Sequence, residues 1–194
     1  RRCAHDLAAV QALLAPAQVI EFVKKPTLAN LLARRVEFLT AYQNAGYAGE
    51  YQAFVVKVQA TEAKFAGSTR LAEAVARYLF KLMAYKDEYE VARLHTDRSF
   101  TDKIAGMFEG DYKVVHHLAP PLLAKRNEKG ELVKQSYGPW MRKAFGVLAR
   151  FKGLRGSALD PFGYSQERKT ERALIGEYRA CIDELLTGLS IENL

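Results

Sequence analysis

The sequence predicts a mainly helical domain with a small antiparallel β-sheet, an α+β arrangement in which a helical bundle surrounds an inserted β-hairpin segment. Three observations carry this. Apolar residues recur every three or four positions through most of residues 28–95 and 139–189, the period of amphipathic helices. Residues 112–118 alternate instead: Tyr112, Val114 and His116 fall on one side and Lys113, Val115 and His117 on the other, the period of a strand. Asn127-Glu128-Lys129-Gly130 then separates two short runs, 122–125 and 132–137, as a hairpin turn does, with Gly130 supplying a positive φ.

Taken in order, residues 1–25 read as short helices interrupted at Pro16, with Leu7, Val10, Leu13 and Leu14 on one face, a lead-in from a preceding domain. Pro26 and Thr27 start a helix whose stripe is Leu28, Leu31, Leu32, Val36 and Leu39. Asn and Gly over 44–49 predict a stop. A helix restarts at Tyr51, with Phe54, Val58, Thr61 and Phe65 at heptad-like spacing, and breaks at Gly67-Ser68. Thr69 is expected to cap the longest helix, running to about His95. Its stripe is Leu71, Val75, Tyr78, Leu79, Leu82, Tyr85 and Tyr89, with Glu73 and Arg77 as an exposed pair four apart. A short helix is expected over 101–108, ending at Gly110.

Pro139 fits a helical first turn, where its missing N–H is not needed. In that helix Trp140, Ala144, Val147, Leu148 and Phe151 are expected to face inward and Arg142, Lys143 and Arg150 outward. Residues 157–164 form a loop. Ser165 caps a final helix with the stripe Leu174, Tyr178, Cys181, Ile182, Leu185 and Leu189. No repeat or linker divides the chain, so residues 1–194 read as one domain.

Composition narrows the function. Of 194 residues, 49% are hydrophobic and 26% charged, enough for one sizeable core. No apolar run approaches the roughly 20 residues that span a bilayer. The basic start lacks the apolar core of a signal peptide. With no initiator Met, the chain is expected to be a piece of a longer protein. Two cysteines, Cys3 and Cys181, cannot build a zinc or iron–sulfur cluster and are expected to be reduced, in the cytoplasm. The net charge of +7 is local. Between residues 123 and 155 nine cations face two carboxylates, an excess equal to that of the whole chain. Such a segment favours an acidic partner: nucleic acid, an acidic protein surface or a phosphorylated ligand.

The chemistry-bearing residues concentrate between Phe108 and Tyr164. Adjacent His116 and His117 point to opposite faces of a strand and cannot form the i, i+4 pair that binds metal from a helix. One is a candidate acid or base with Glu109 or Asp111. The alternative has one histidine packed against helices and the other solvated. Glu109 and Asp111 are equally suited to dividing acid and base roles or to turning the backbone. Arg155 is a fork-shaped donor suited to a carboxylate or phosphate. Either Asp160 is its partner or a loop cap, with Phe162 plugging the core, or Arg155, Asp160 and Tyr164 anchor a ligand or partner. Tyr137, Trp140, Phe145 and Phe151 among the cations fit base stacking or, more simply, the inner face of one helix. No nucleotide-loop, nucleophile-elbow or metalloprotease motif occurs.

Several runs resemble the C-terminal domain of unknown function of indolepyruvate:ferredoxin oxidoreductase and its relatives, the 2-oxoacid:acceptor oxidoreductases. They are RRVEFLTAYQNAGYA (34–48), LFKLMAYKDEYEVARL (79–94), FEGDYKVVHHLAPPLLA (108–124), YGPWM (137–141) and LRGSALDPFGYSQER (154–168). The resemblance implies a parent enzyme that oxidatively decarboxylates arylpyruvates to the acyl-CoA. It would use thiamine diphosphate, iron–sulfur clusters and coenzyme A, and would reduce ferredoxin. Those activities belong to other domains. This chain is implied to be an accessory domain that holds none of those cofactors, and no catalytic residue carries over.

Three functions follow as expectations. The first is docking of another part of the complex, or of acidic ferredoxin, through Lys134, Arg142, Lys143 and Arg150. The second is a pocket for a small carboxylate or CoA-like anion, held by Arg155 and walled by His116 or His117 and Trp140. The third, a nucleic-acid module, ranks last because no nucleic-acid fold signature accompanies the charge.

Overall fold

A computed structural model describes residues 26–65, 67–118, 127, 130, 133–190 and 192. The described chain contains α1 (Leu28–Tyr42), α2 (Ala45–Glu62), α3 (Arg70–Met83), α4 (Glu88–Thr96) and α5 (Arg98–Met107), then β1 (His116–Leu118) and β2 (Gln135–Tyr137). It continues as α6 (Met141–Arg150), a 3-10 turn (Phe151–Leu154) and α7 (Gln166–Thr187). This is the expected class, mainly helical with a small antiparallel sheet. The helices expected over 1–25 and the strand at 122–125 lie outside the described residues.

Local chemistry sets several helix ends. The Thr27 hydroxyl accepts from the Asn30 amide and starts α1, and Ser165 does the same for α7 through the Arg168 amide. Asn44 and its glycine-rich sequel are not the stop they resemble. The Asn44 carboxamide accepts from the Tyr47 amide at 2.9 Å, so α2 starts at Ala45 and absorbs Gly46 and Gly49. Its buried face is correspondingly Tyr51, Val55, Val58 and Glu62, not the Phe54–Thr61–Phe65 spacing.

Thr69 makes no capping bond to α3. That role falls to Glu62, a fully buried carboxylate at the end of α2. It accepts from the Leu71 amide (3.0 Å), the Ala72 amide (2.9 Å) and the Ser68 hydroxyl (3.2 Å). A negative charge on the free amides of a helix start satisfies both the donors and the helix dipole. The expected Glu73–Arg77 pair forms at 3.2 Å.

The single helix expected from Thr69 to His95 is two helices, separated by Ala84–Tyr85–Lys86–Asp87. Nothing in those four residues forbids a helix. The break is held from elsewhere: the Tyr47 hydroxyl donates to the Met83 carbonyl, the Tyr42 hydroxyl to that of Tyr85, and the Arg168 guanidinium to that of Lys86. These donors satisfy carbonyls that the end of α3 leaves open. Asp87 then restarts the chain, capping α4 through the Glu90 amide at 2.8 Å. The longest described helix is instead α7, with 22 residues.

Two apolar clusters result. The larger joins α1, α2, α3 and α7 around Leu39, Tyr42, Tyr51, Val58, Leu79 and Met83. From α7 it takes Ile182, with Ile175, Tyr178 and Leu186 packed beside it. Cys181, Leu174 and Leu185, expected in that stripe, are exposed. The smaller cluster joins α4, α6 and the sheet around Ala92, Met141 and Phe145.

The sheet pairs β1 with β2, His116 opposite Tyr137 and His117 opposite Ser136. The partner of 135–137 is thus 116–118, and residues 112–115, expected to be strand, carry no ladder. Gly130 adopts the expected positive φ of 78°.

α6 is rotated from its expected orientation. Met141 and Phe145 are buried, and Leu148 packs beside them. Trp140, Val147 and Phe151 are 59%, 56% and 52% exposed.

Candidate functional site

Arg155 lies where the two apolar clusters meet, just after the 3-10 turn. Its side chain is 2% exposed. Nε and Nη2 donate to the two carboxylate oxygens of Asp87 at 2.5 and 2.9 Å, and Nη1 donates to the Tyr42 carbonyl at 2.7 Å. The guanidinium stacks 3.6 Å from the Tyr42 ring centroid. Burial by itself lowers its pKa, but the hydrogen bonds to Asp87 and the neighbouring charges outweigh that and raise it. Each of its three nitrogens donates to a protein oxygen. The arrangement holds the break before α4 against the turn after α6 and presents no cation to a ligand.

Asp160 is not the partner of Arg155. It closes its own loop, accepting from the Gly156 amide (2.8 Å), the Phe162 amide (3.1 Å) and the Tyr89 hydroxyl (3.1 Å). Gly163 passes so close that a Cβ there would sit 2.7 Å from an Asp160 carboxylate oxygen, which is why glycine is needed. Phe162 packs edge-on against Tyr89. Tyr164 is exposed, and its hydroxyl donates to the Ala158 carbonyl at 2.5 Å. Arg155, Asp160 and Tyr164 therefore do not converge on one cleft.

The histidines separate as strand period requires. His117 is exposed and shares a 3.1 Å hydrogen bond with the cross-strand Ser136 hydroxyl. His116 is 7% exposed and meets two rings edge-on, His95 at 5.0 Å and Phe145 at 5.4 Å between centroids. His95 stacks on Phe145 at 5.1 Å. Desolvation lowers the pKa of both histidines, and in His95 the proximity of His116 and Lys86 adds to it. Both are neutral at pH 7, so each ring offers one donor and one acceptor. His95 Nδ1 is buried without a hydrogen-bond partner among the described residues.

The His95 and His116 rings form the floor of a cleft of about 310 Å³. α5 supplies one wall through Phe100, Thr101 and Ile104, and the irregular segment before β1 supplies another through Tyr112, Lys113 and Val114. Pro139 and Arg142, at the start of α6, close the third side. Among the described residues no carboxylate lines it, whereas two cations do. Glu109 and Asp111 are exposed and are not among its lining residues, so the acid–base pairing with a histidine does not form.

Of the residues expected here, the cleft gathers His116 and Arg142. It adds His95, Thr101 and Lys113, which sequence reasoning passed over. His95 lies three positions after Ala92 on the face α4 turns to α6, and that helical register was the one signal available. Among the described residues no group of three or more His, Cys, Asp and Glu side chains could hold a metal.

A second feature is the outward face of α6. Lys134, Arg142, Lys143 and Arg150 are exposed and make no ion pair among the described residues. Trp140, Val147 and Phe151 form one stripe by their i, i+7, i+11 spacing, with Lys143 and Arg150 beside it and Arg142 on the other side, toward the cleft, and the Trp140 ring meets Tyr137 edge-on at 6.0 Å. No described helix is long and apolar enough to cross a membrane.

Comparison with curated proteins and with solved structures returns no match. One family pattern does match, over residues 28–194, which takes in every helix described above. The chain accordingly belongs to DUF6537, a family of unknown function.

Proposed function

We propose that this domain is an accessory docking module of a cytoplasmic 2-oxoacid oxidoreductase of the indolepyruvate:ferredoxin kind. In this reading thiamine diphosphate, the iron–sulfur clusters and coenzyme A belong to other parts of the enzyme. The occupant of its docking face is an acidic protein surface of the ferredoxin type. The observation that carries the reading is the outward face of α6, where Lys143 and Arg150, which make no ion pair among the described residues, lie beside exposed Trp140, Val147 and Phe151. Exposed aromatic residues beside arginine are the composition of an interface core, and large exposed apolar side chains ringed by charge mark interaction sites. The parent class rests on the wording of the runs at 34–48, 79–94, 108–124, 137–141 and 154–168.

The test is surface plasmon resonance of the 194-residue chain against an acidic ferredoxin at several salt concentrations. Lys134→Glu, Lys143→Glu and Arg150→Glu together should weaken binding at least about tenfold at low salt, chiefly through the association rate. Binding unchanged by the triple reversal ends the proposal. Tight binding to generic duplex DNA that falls steeply with salt, with none to ferredoxin, would replace it by the nucleic-acid reading.

A further inference from the structure

We propose that the cleft between α4, α5 and the start of α6 is a binding site for a small aryl carboxylate, its ring seated against Phe100 and Ile104 and its carboxylate held by Arg142 and Lys113. The inference does not depend on the docking reading, whose test reverses Lys134, Lys143 and Arg150 and leaves Arg142 untouched.

Shape and charge both point to this class. The cleft, at about 310 Å³, lies at the small end of ligand pockets, so it suits one or two rings rather than a nucleotide-sized cofactor. Its walls are mostly apolar or aromatic. Phe100 stands at 90° to the His95 ring with centroids 5.4 Å apart, leaving an edge against which another flat ring can pack. A purely apolar ligand would leave the polar groups of the floor without partners. His95 Nδ1 is buried with no hydrogen-bond partner among the described residues, and desolvation keeps both imidazoles uncharged. A carboxylate can accept from a neutral imidazole N–H without burying a second charge on the floor.

The sign of the ligand is set at the mouth. Lys113 and Arg142 line the cleft, both are exposed, and neither pairs with a described carboxylate. With two cations and no carboxylate among the described lining residues, the lining favours an anion. Arg142 adds geometric selectivity, because a planar guanidinium matches a planar carboxylate in a two-bond fork. The expected anion site at Arg155 is thereby relocated. Arg155 is taken up by Asp87, and the guanidinium that lines the cleft is that of Arg142.

The experiment uses 3-phenylpropionate and its neutral amide, 3-phenylpropanamide, as probes of the 194-residue chain. Histidine ring resonances are followed by NMR, with Trp140 fluorescence, from beside Pro139, as a second readout. The carboxylate should bind saturably and shift the His95 and His116 resonances while leaving exposed His117 unmoved. The amide should bind at least about tenfold more weakly, a difference of about 1.4 kcal/mol. Arg142→Gln should reduce carboxylate affinity to near that of the amide without lowering the melting temperature, since Arg142 is exposed and unpaired. Arg142→Lys should restore part of the loss.

Equal binding of acid and amide overturns the proposal. So does undiminished carboxylate affinity in Arg142→Gln, or perturbation of His117 in place of His95 and His116. Lys134→Glu, which lies outside the cleft, should leave carboxylate binding intact. Failure of the cleft is thus distinguishable from failure of the docking face.

Discussion

Arg155→Met tests the largest single structural claim, that one buried ion pair joins the two halves of the helical body. The substitution keeps length and apolar volume but removes three hydrogen bonds: two to Asp87 and one to the Tyr42 carbonyl. Asp87, with a side chain 3% exposed, is left as a buried carboxylate whose remaining partner is the Glu90 amide. Breaking a buried pair from one side costs about 3–5 kcal/mol, because the surviving charge is uncompensated. For a chain of this size each kcal/mol lowers the melting temperature by about 2–4 °C, so a loss of about 4 kcal/mol lowers it by about 8–16 °C.

Asp87→Ala should cost at least as much, since it also removes the cap of α4, worth about 1 kcal/mol. The double variant leaves neither charge stranded. It should therefore be less destabilised than the sum of the singles, by a coupling of about 2 kcal/mol. Guanidinium denaturation of the four proteins, followed by circular dichroism, closes the cycle. A loss below about 1 kcal/mol in Arg155→Met, the worth of an exposed pair, would refute the reasoning. Strict additivity of the two singles would refute it equally.

Two further outcomes follow from buried titratable groups. Glu62→Gln should destabilise by about 1–3 kcal/mol in the same assay, because one amide oxygen cannot accept from the Leu71 and Ala72 amides as two carboxylate oxygens do. Thr69→Ala, which removes no capping bond, should cost well under 1 kcal/mol by comparison. The second outcome concerns pH. His95 and His116 have folded pKa values below their ordinary one, so between the two values the unfolded chain binds more protons. Their contribution to stability is full above about pH 6.5 and is lost as pH falls through the depressed values. Glu88 and Glu171, raised by burial, act in the opposite sense at lower pH. The difference between parent and His116→Gln melting curves isolates the histidine part. That difference should shrink steadily below pH 6.5, and a gap that widens on acidification would contradict the assignment.

What was legible in the sequence was what neighbouring residues decide. Thr27 and Ser165 cap the helices they precede, Gly130 takes its positive φ, and period two sends His116 inward and His117 outward. What was not legible is decided by residues far along the chain. The sequence Ala84–Tyr85–Lys86–Asp87 contains no breaker, yet it breaks, because Tyr42, Arg168 and Arg155 reach it from 43, 82 and 68 residues away. Glu62 reads as one more helical carboxylate until Ser68 and the start of α3 fold over it. His95 joins the cleft only because β1 and α6 carry His116 and Phe145 to it.

α6 is the instructive case, because its sequence holds two apolar stripes rather than one. Met141, Phe145 and Leu148 form the first, and Trp140, Ala144, Val147 and Phe151 the second. Periodicity identifies both and cannot rank them. In the fold Met141 and Phe145 pack against Ala92 of α4, whose small side chain leaves room for them, and the first stripe goes in. The other is left outside with a tryptophan and a phenylalanine more than half exposed among unpaired cations. A domain gains nothing in its own stability from such a face. Under the proposed docking function that face is buried against a second surface, and the cations beside it would set that surface's charge.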